Sequence, residues 1–210
     1  MKQGFKMSSV QISEKVKIRL YPAVLSEFSS KDFHEVNIRD ISSVSGVSTG
    51  TIYKYFSSKE DLLFSIIDEK LSELGELLRL HIKGMVDVKE IFRKIFWVTM
   101  DFFDNNPELA VVAFVTVPLK NFMQSPAYRR QEEVDILNSV VEKARLEGAV
   151  NIGVKKRYFV DLYIMISHRH IHNWYYCGSK WKLAETIDDF FNFFWTIVSP
   201  LSLRTDGGEK

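Results

Sequence analysis

A run of hydroxylated and basic residues between positions 48 and 59 carries side chains that can contact nucleic acid. Tyr53 can donate its hydroxyl group to a phosphate, and Lys54 can pair with a phosphate or reach the edge of a guanine base. Gly50 has no side chain, which leaves room for a nucleic-acid strand to approach the protein backbone. The other candidates offer hydroxyl groups to a base edge, a thymine methyl group or a phosphate, and a cation to a phosphate: Ser48, Thr49, Thr51 and Lys59.

Two short predicted helices must position these side chains. Asn37 is a favourable N-cap for the first helix, which we expect to run to about Ser45 before Gly46 breaks it. Ser48 caps the second helix, which we expect over Thr49 to about Phe56. About three residues separate the two helices. This is the spacing of a helix-turn-helix, whose second helix enters the major groove of DNA.

The second helix has two different faces. Ile52 and Phe56 are four residues apart and form an apolar face that can pack on the preceding helices. Gly50 and Lys54 lie on the opposite face, flanked by Tyr53. A purely structural interpretation makes the tyrosines core residues and the lysines a solvated face, and composition alone does not separate the two interpretations. The complete spaced motif favours DNA binding.

Helical periodicity dominates the rest of the chain, so the predicted fold class is all-α with about nine helices. The 210 residues are 46% hydrophobic, which is enough for a substantial core. We expect an N-terminal arm and helix-turn-helix domain at 1–57, a larger helical domain at 58–203 and a disordered tail at 204–210. In the first helix, at about 13–29, Pro22 removes a backbone hydrogen bond and should cause a kink.

Charge and cysteine content are compatible with a cytoplasmic protein that meets DNA. Residues 1–60 hold nine Lys/Arg and six Asp/Glu, a net charge of +3, whereas residues 61–210 hold 19 and 21, a net charge of −2. No apolar run reaches the ~20 residues needed to span a bilayer, and residues 1–13 lack the apolar region of a secretory signal. The single Cys177 cannot form an internal disulfide. We therefore expect a cytoplasmic location and no membrane association.

The N-terminal segment resembles the signature of the TetR family of transcriptional regulators over about residues 12–65. The matching stretches are Asn37-Ile-Arg-Asp-Ile41, Ser45-Gly-Val-Ser48, Gly50-Thr-Ile-Tyr-Lys-Tyr-Phe56, Ser58-Lys-Glu60 and Leu62-Leu63. The resemblance implies a three-helix DNA-binding domain and an all-helical C-terminal domain that dimerises and binds a small-molecule effector. Position by position, it implies DNA contacts from Thr49, Gly50, Tyr53, Lys54 and Lys59, with Asn37 and Ser48 near phosphate.

The C-terminal domain is rich in large aromatic rings with interspersed methionine, a composition that can enclose an apolar cavity. Such rings are more often core or interface residues than ligand contacts. Our candidates for the wall of an effector pocket are Phe92, Phe96, Phe103, Phe114, Phe122, Met123, Tyr163, His168 and His172.

An elongated, mostly apolar effector, such as a fatty acyl-CoA or a similar lipid, suits this composition. The segments Asn173–Tyr176, Gly178–Lys180 and Ile187–Phe194 also resemble the C-terminal end of TetR regulators of fatty-acid and sterol degradation. A flat aromatic or cationic effector stays open. A cation would want an acidic residue among the rings, and the candidates are Asp101 and Asp161.

A His-Arg-His-Ile-His run invites a metal interpretation. His168 and His172 share a helix face, while His170 points away. Zinc needs two further ligands, and no matching Cys, His or Glu set stands nearby. We therefore expect no metal ion and no cofactor. We also expect no enzymatic activity, because no glycine-rich phosphate loop or nucleophile motif is present.

The last two predicted helices, at about 155–177 and 184–198, are the expected homodimer surface. The resemblance implies a four-helix bundle formed by these helices of two subunits, and the apolar run from Phe190 to Val198 is more than a monomer can easily cover. On this view Phe194→Glu should break the dimer. The leading hypothesis is a repressor released from a double-stranded DNA operator by a small molecule. The alternatives are a DNA-binding protein without an effector, and a metabolite-binding protein or enzyme that shares only the fold.

Overall fold

The computed structural model describes residues 12–123 and 131–200, and every regular element in these ranges is helical. The helices are α1 (Glu14–Ser30), α2 (Ile38–Ser45), α3 (Thr49–Tyr55), α4 (Lys59–Ile82), α5 (Val88–Asp104), α6 (Pro107–Val111), α7 (Leu119–Phe122), α8 (Gln131–Leu146), α9 (Lys156–Tyr176) and α10 (Ile187–Val198). A π-helical turn, Val112–Thr116, follows α6, and a 3₁₀ turn, Leu183–Thr186, precedes α10. The all-α prediction is confirmed, with ten helices in the described ranges where about nine were expected. The predicted tail at 204–210 lies outside those ranges.

Helices α1, α2 and α3 form a small bundle around an apolar centre. Its fully buried side chains include Leu20, Val24, Phe28, Ile41 and Ile52. Gly46 ends α2 with a φ of +63°, a left-handed conformation that glycine adopts without steric cost. A Cβ atom there would also collide with the guanidinium group of Arg19, whose Nη2 donates a hydrogen bond to Gly46 O at 2.6 Å. The helix α1 is not interrupted at Pro22.

One region of the C-terminal half is not a continuous α-helix. Pro107 is the first residue of α6, which is only five residues long as an α-helix and continues as the π-helical turn. Pro118 follows, and the short α7 comes after it. Ser125 and Pro126 lie outside the described residues, and the next described helix is α8.

Helix α4 joins the N-terminal bundle to the rest of the protein and is held to α1 by polar contacts. Glu69 of α4 accepts a 2.5 Å contact from Lys17 Nζ and a 2.8 Å hydrogen bond from the Tyr21 hydroxyl group. Burial and this hydrogen bond raise the pKa of Tyr21 well above its ordinary value, so Tyr21 remains protonated and keeps donating. The α1 helix also contacts α6 and the π-helical turn. The N-terminal bundle therefore rests on two separate parts of the C-terminal half.

Helices α5, α9 and α10 build the core of the C-terminal half. The inner face of α10 inserts fully buried side chains at Phe191, Phe194 and Val198. Its outer face leaves Phe193 61% exposed. Successive positions of an α-helix are 100° apart, so Phe193 can face outward while its neighbour Phe194 is buried.

Candidate nucleic-acid interface and ligand region

The outer face of α3 carries the side chains that the helical pattern places there. Ile52 is fully buried and Phe56 almost so, which fixes the helix on the bundle. Tyr53 is 57% exposed, and Lys54 is exposed with its Nζ atom 5.6 Å from the ring centroid of Tyr55. Both side chains are therefore accessible to an external partner.

Gly50 lies on the same outer face, and internal packing does not require glycine there. An added Cβ atom would meet no heavy atom closer than Ser48 Oγ at 4.0 Å, and the residue has an ordinary helical backbone. The small residue leaves the surface of α3 open where an external partner can approach its backbone.

Three other predicted contact residues build the helix-turn-helix itself. Asn37 Oδ1 accepts hydrogen bonds from the backbone N–H groups of Arg39 and Asp40, both at 3.0 Å. Ser48 Oγ accepts one from the backbone N–H group of Thr51 at 3.1 Å, and the two hydroxyl groups share another at 2.8 Å. Asn37 and Ser48 thus satisfy backbone donors that the helix starts leave unpaired, and the Thr51 hydroxyl group bonds to that of Ser48. Any phosphate contact by these side chains has to coexist with these bonds.

Lys59 has a different role in the structure from the expected phosphate contact. Its Nζ atom donates to the carbonyl oxygen atoms of Phe33 and Val36, each at 2.8 Å, and of His34 at 3.3 Å. It also lies 5.2 Å from the centroid of the Phe33 ring. An ammonium group has three N–H donors, and all three are accounted for here. The reason is that the loop between α1 and α2 leaves carbonyl groups without helical partners, and this lysine satisfies them.

Arg39 is a candidate contact that sequence reasoning missed. It is exposed, and within the described ranges the structure records no hydrogen bond or ion pair to its guanidinium group. It lines an open groove between α2 and the start of α3, which also includes Thr49 and Tyr53. The sequence does contain a signal for Arg39. Ile38 and Ile41 are three residues apart and form the buried face of α2, so the position directly after Ile38 faces outward.

Four of the predicted pocket residues form a connected cluster. The ring of Phe114 lies 5.0 Å from that of Phe103 and 4.7 Å from that of His168, between centroids. His172 lies 6.3 Å from His168, and its Nε2 atom donates to Phe114 O at 2.7 Å. This cluster joins α5, the π-helical turn and α9.

The structure separates the other predicted pocket residues from this cluster. Phe92 packs against Phe194 at 5.6 Å, and Phe96 packs against Phe194 and Tyr163, both at 5.0 Å, so these rings belong to the core under α10. The Tyr163 hydroxyl group shares a buried 2.6 Å hydrogen bond with Thr99. Two predicted residues remain to be placed. Met123 is 55% exposed, and the side chain of Phe122 lies outside the described residues.

The histidine run of α9 is divided between packing contacts. His170 Nε2 shares a 2.8 Å hydrogen bond with Thr186 Oγ1, and its ring lies 4.4 Å from that of Phe190. Burial lowers the pKa of His170 below its ordinary value, which favours the neutral ring. Within residues 12–123 and 131–200, no three His, Cys, Asp or Glu side chains are grouped so that they could hold a metal ion.

The acidic candidates for a cationic effector are not buried among the rings. Asp161 is exposed, and Asp101 is partly exposed and contacts Asn105 Nδ2 at 3.3 Å. The buried carboxylate of the described residues is instead Glu133 of α8, which sequence reasoning did not single out. None of the helices in the described ranges combines the length and apolar character that a membrane crossing requires.

The exposed recognition helix on an all-helical scaffold defines a helix-turn-helix regulator of transcription. Residues 23–66 match the family model described as "Bacterial regulatory proteins, tetR family". This segment of the chain is therefore similar to the DNA-binding domain of the TetR family. It is 25% identical over 138 residues to the fatty acid metabolism regulator protein of Bacillus subtilis, covering 66% of this chain and 68% of that protein. Other curated regulators, from Mycobacterium tuberculosis, are 26% identical over 100 residues and align over half of their own length.

Solved structures share the fold along almost the whole chain. The fatty acid degradation regulator FadR of Bacillus halodurans superposes with a TM-score of 0.80 at 18% identity, covering 89% of this chain and 97% of that one. FadR of Bacillus subtilis, in complex with stearoyl-CoA, has a TM-score of 0.78 at 20% identity, covering 85% and 97%. At these identities the similarity establishes the fold.

Proposed function

We propose that this chain is a repressor that binds a near-palindromic operator as a homodimer and leaves it when a fatty acyl-CoA or a related lipid binds. The observation that carries the DNA-binding part is the outer face of α3, where Gly50, Tyr53 and Lys54 project together and no internal contact requires their residue types. Arg39 extends this face across the groove to α2. Because its operator would be chromosomal, such a repressor works in the cytoplasm.

A homodimer is proposed because one helix-turn-helix covers only half of an operator. The outer faces of α9 and α10 support it, since they expose large apolar side chains in a region without a described neighbour. Met165 is 65% exposed, Phe193 61% and Tyr176 87%. Apolar side chains gathered on two neighbouring helices suit a partner surface, and a second copy of the same two helices forms a four-helix contact.

The lipid effector is the finer part of the proposal. A regulator of fatty acid metabolism is among the relatives, and a structural neighbour was solved with stearoyl-CoA. Within this chain, Phe103, Phe114 and His168 pack ring against ring, and apolar aromatic surroundings of this kind suit an acyl chain better than a polar drug.

The test begins with selection of bound sequences from a random DNA pool, followed by gel shifts on the enriched site. A panel of acyl-CoAs, free fatty acids, aromatic compounds and cationic dyes is then screened by thermal shift, and each binder is added to the gel shift. We expect a long-chain acyl-CoA to raise the melting temperature and to weaken operator binding. Specific DNA binding that no compound alters would indicate a regulator without an effector. A shift caused only by aromatic or cationic compounds would refute the lipid assignment.

A further inference from the structure

The segment after α6 is interrupted for a reason that the sequence explains. In an α-helix the carbonyl group of Phe114 would accept a hydrogen bond from the N–H group of residue 118, but residue 118 is proline and has none. The chain instead forms a π-helical turn, in which the N–H group of Val117 bonds to Val112 O at 3.2 Å. Such turns are uncommon and are frequently found at functional sites.

A residue from another helix supplies a donor to that carbonyl group. His172 Nε2 lies 2.7 Å from Phe114 O, and because a carbonyl oxygen only accepts, the imidazole must donate from Nε2. The neutral Nε2–H tautomer and the imidazolium ion both can do so. The link therefore ties α9, which carries part of the proposed dimer surface, to the backbone of the π-helical turn.

The same turn touches the DNA-binding half on its other side. Both α6 and the π-helical turn contact α1. Residues Pro22 and Leu25 of α1 line a groove of about 360 Å³ together with Pro107 and Leu109 at the start of α6. Leu109 and Leu25 are buried beside this groove, and α1 contacts α6 directly, so the two halves of the protein meet here.

We propose that the π-helical turn Val112–Thr116, held to α9 by His172, couples the ligand and dimer half to the DNA-binding domain through α1. The proposal rests on the function proposed above and adds a second connection beside the covalent one through α4. A turn that is one residue out of α-helical register can rearrange without unfolding its neighbours. A ligand in the Phe103, Phe114 and His168 cluster would contact this turn directly, and the turn would pass the change to α1.

The first test needs neither DNA nor a ligand. Hydrogen exchange of the full-length protein is compared for the wild type, for His172→Phe and for His172→Gln. The glutamine amide nitrogen takes nearly the place of Nε2 and keeps the donor, so this variant is the matched control. We expect His172→Phe to exchange about tenfold faster over residues 107–117 and over α1, while His172→Gln stays close to the wild type. The amides of α4 from Leu71 to Leu78 are the internal reference for intact folding.

The proposal would be overturned if His172→Phe exchanges no faster than the wild type. It would also be overturned if the faster exchange is confined to the π-helical turn and does not extend to α1. If His172→Phe does not fold, His172→Asn carries the same test, because its shorter amide cannot reach Phe114 O.

The second test measures the affinity for the selected operator with and without stearoyl-CoA. Each variant is tested at stearoyl-CoA saturation, set from its own binding curve, so that a change in stearoyl-CoA affinity does not enter the comparison. We expect the effect of stearoyl-CoA on operator affinity to fall by roughly fivefold or more in His172→Phe. An undiminished effect in His172→Phe would refute the coupling. If the wild type itself shows no response to stearoyl-CoA, the proposed effector is wrong, and the exchange comparison alone decides the coupling.

Discussion

Gly50→Ala should strengthen the fold and weaken operator binding, two effects of opposite sign from one methyl group. On the stability side, the new Cβ atom meets only Ser48 Oγ at 4.0 Å, an ordinary contact without strain. Alanine is favoured over glycine in a helix by about 0.5–1 kcal/mol, and the lower part of that range applies because Gly50 is the second residue of α3. We therefore expect a gain of about 0.5 kcal/mol in the free energy of unfolding.

On the binding side, the methyl group occupies the outer face of α3 between the starting amides and Lys54. If DNA lies against the backbone there, the helix must move outward, which disturbs contacts that are typically worth about 1–3 kcal/mol each. A loss of 1.4 kcal/mol of binding free energy corresponds to a tenfold larger dissociation constant. We expect about tenfold weaker binding to the selected operator and little change with non-specific DNA.

The assay pairs urea denaturation with a fluorescence titration of labelled operator. Unchanged operator affinity would refute the close approach of DNA to Gly50. A loss of stability would show instead that the space around the Cβ position is not open, and the geometric premise would fail.

Three further predictions concern substitutions on the outer face of α3, on the two faces of α10 and at Lys59. Lys54→Ala should weaken operator binding and, if Lys54 contacts a phosphate, lower the slope of log K against log salt by about 0.9. Tyr53→Phe should weaken operator binding and leave this slope unchanged. Titrations at several salt concentrations that match the wild type for both variants would exclude α3 from the groove. Phe193→Glu should give a folded monomer, and Phe194→Ala should cost about 3–5 kcal/mol of unfolding free energy; sedimentation of Phe193→Glu as a dimer would contradict the proposed interface. Lys59→Met should lower stability by about 1–3 kcal/mol and leave the salt slope of DNA binding unchanged; a reduced slope would restore the phosphate contact.

The helix-turn-helix could be predicted from the sequence because its determinants are local. Asn37 and Ser48 cap helices whose first residues follow directly, and Gly46 provides the left-handed turn between them. Each of these features acts within a few residues of the chain, so residue type and spacing are sufficient. The outward direction of Tyr53 and Lys54 follows in the same way from the burial of Ile52.

The ligand region could not be predicted to the same degree, because a buried aromatic ring has the same sequence signal in a core and in a pocket wall. Phe92 and Phe96 lie under α10, and only the tertiary structure shows that Phe194 fills the space beside them. The same limit applies to the dimer surface. Phe194, expected there, is fully buried, while its neighbour Phe193 faces outward, and a boundary shift of one residue is enough to exchange them.

The two cations Lys59 and Arg39 show why a motif position does not determine a role. The lysine stands where the family signature implies a phosphate contact, yet three unpaired carbonyl groups of the α1–α2 loop bind its ammonium group. The arginine has no such acceptors within the described residues and faces the groove beside Thr49 and Tyr53. Two of these bonds are partly buried, where losing the donor destabilises the fold by up to about 1–3 kcal/mol, so the loop favours keeping the lysine in place. The helix-turn-helix therefore divides its polar residues into those that hold α2 and α3 in place and those left exposed, and Arg39 belongs to the second group, which the proposed function assigns to DNA contact.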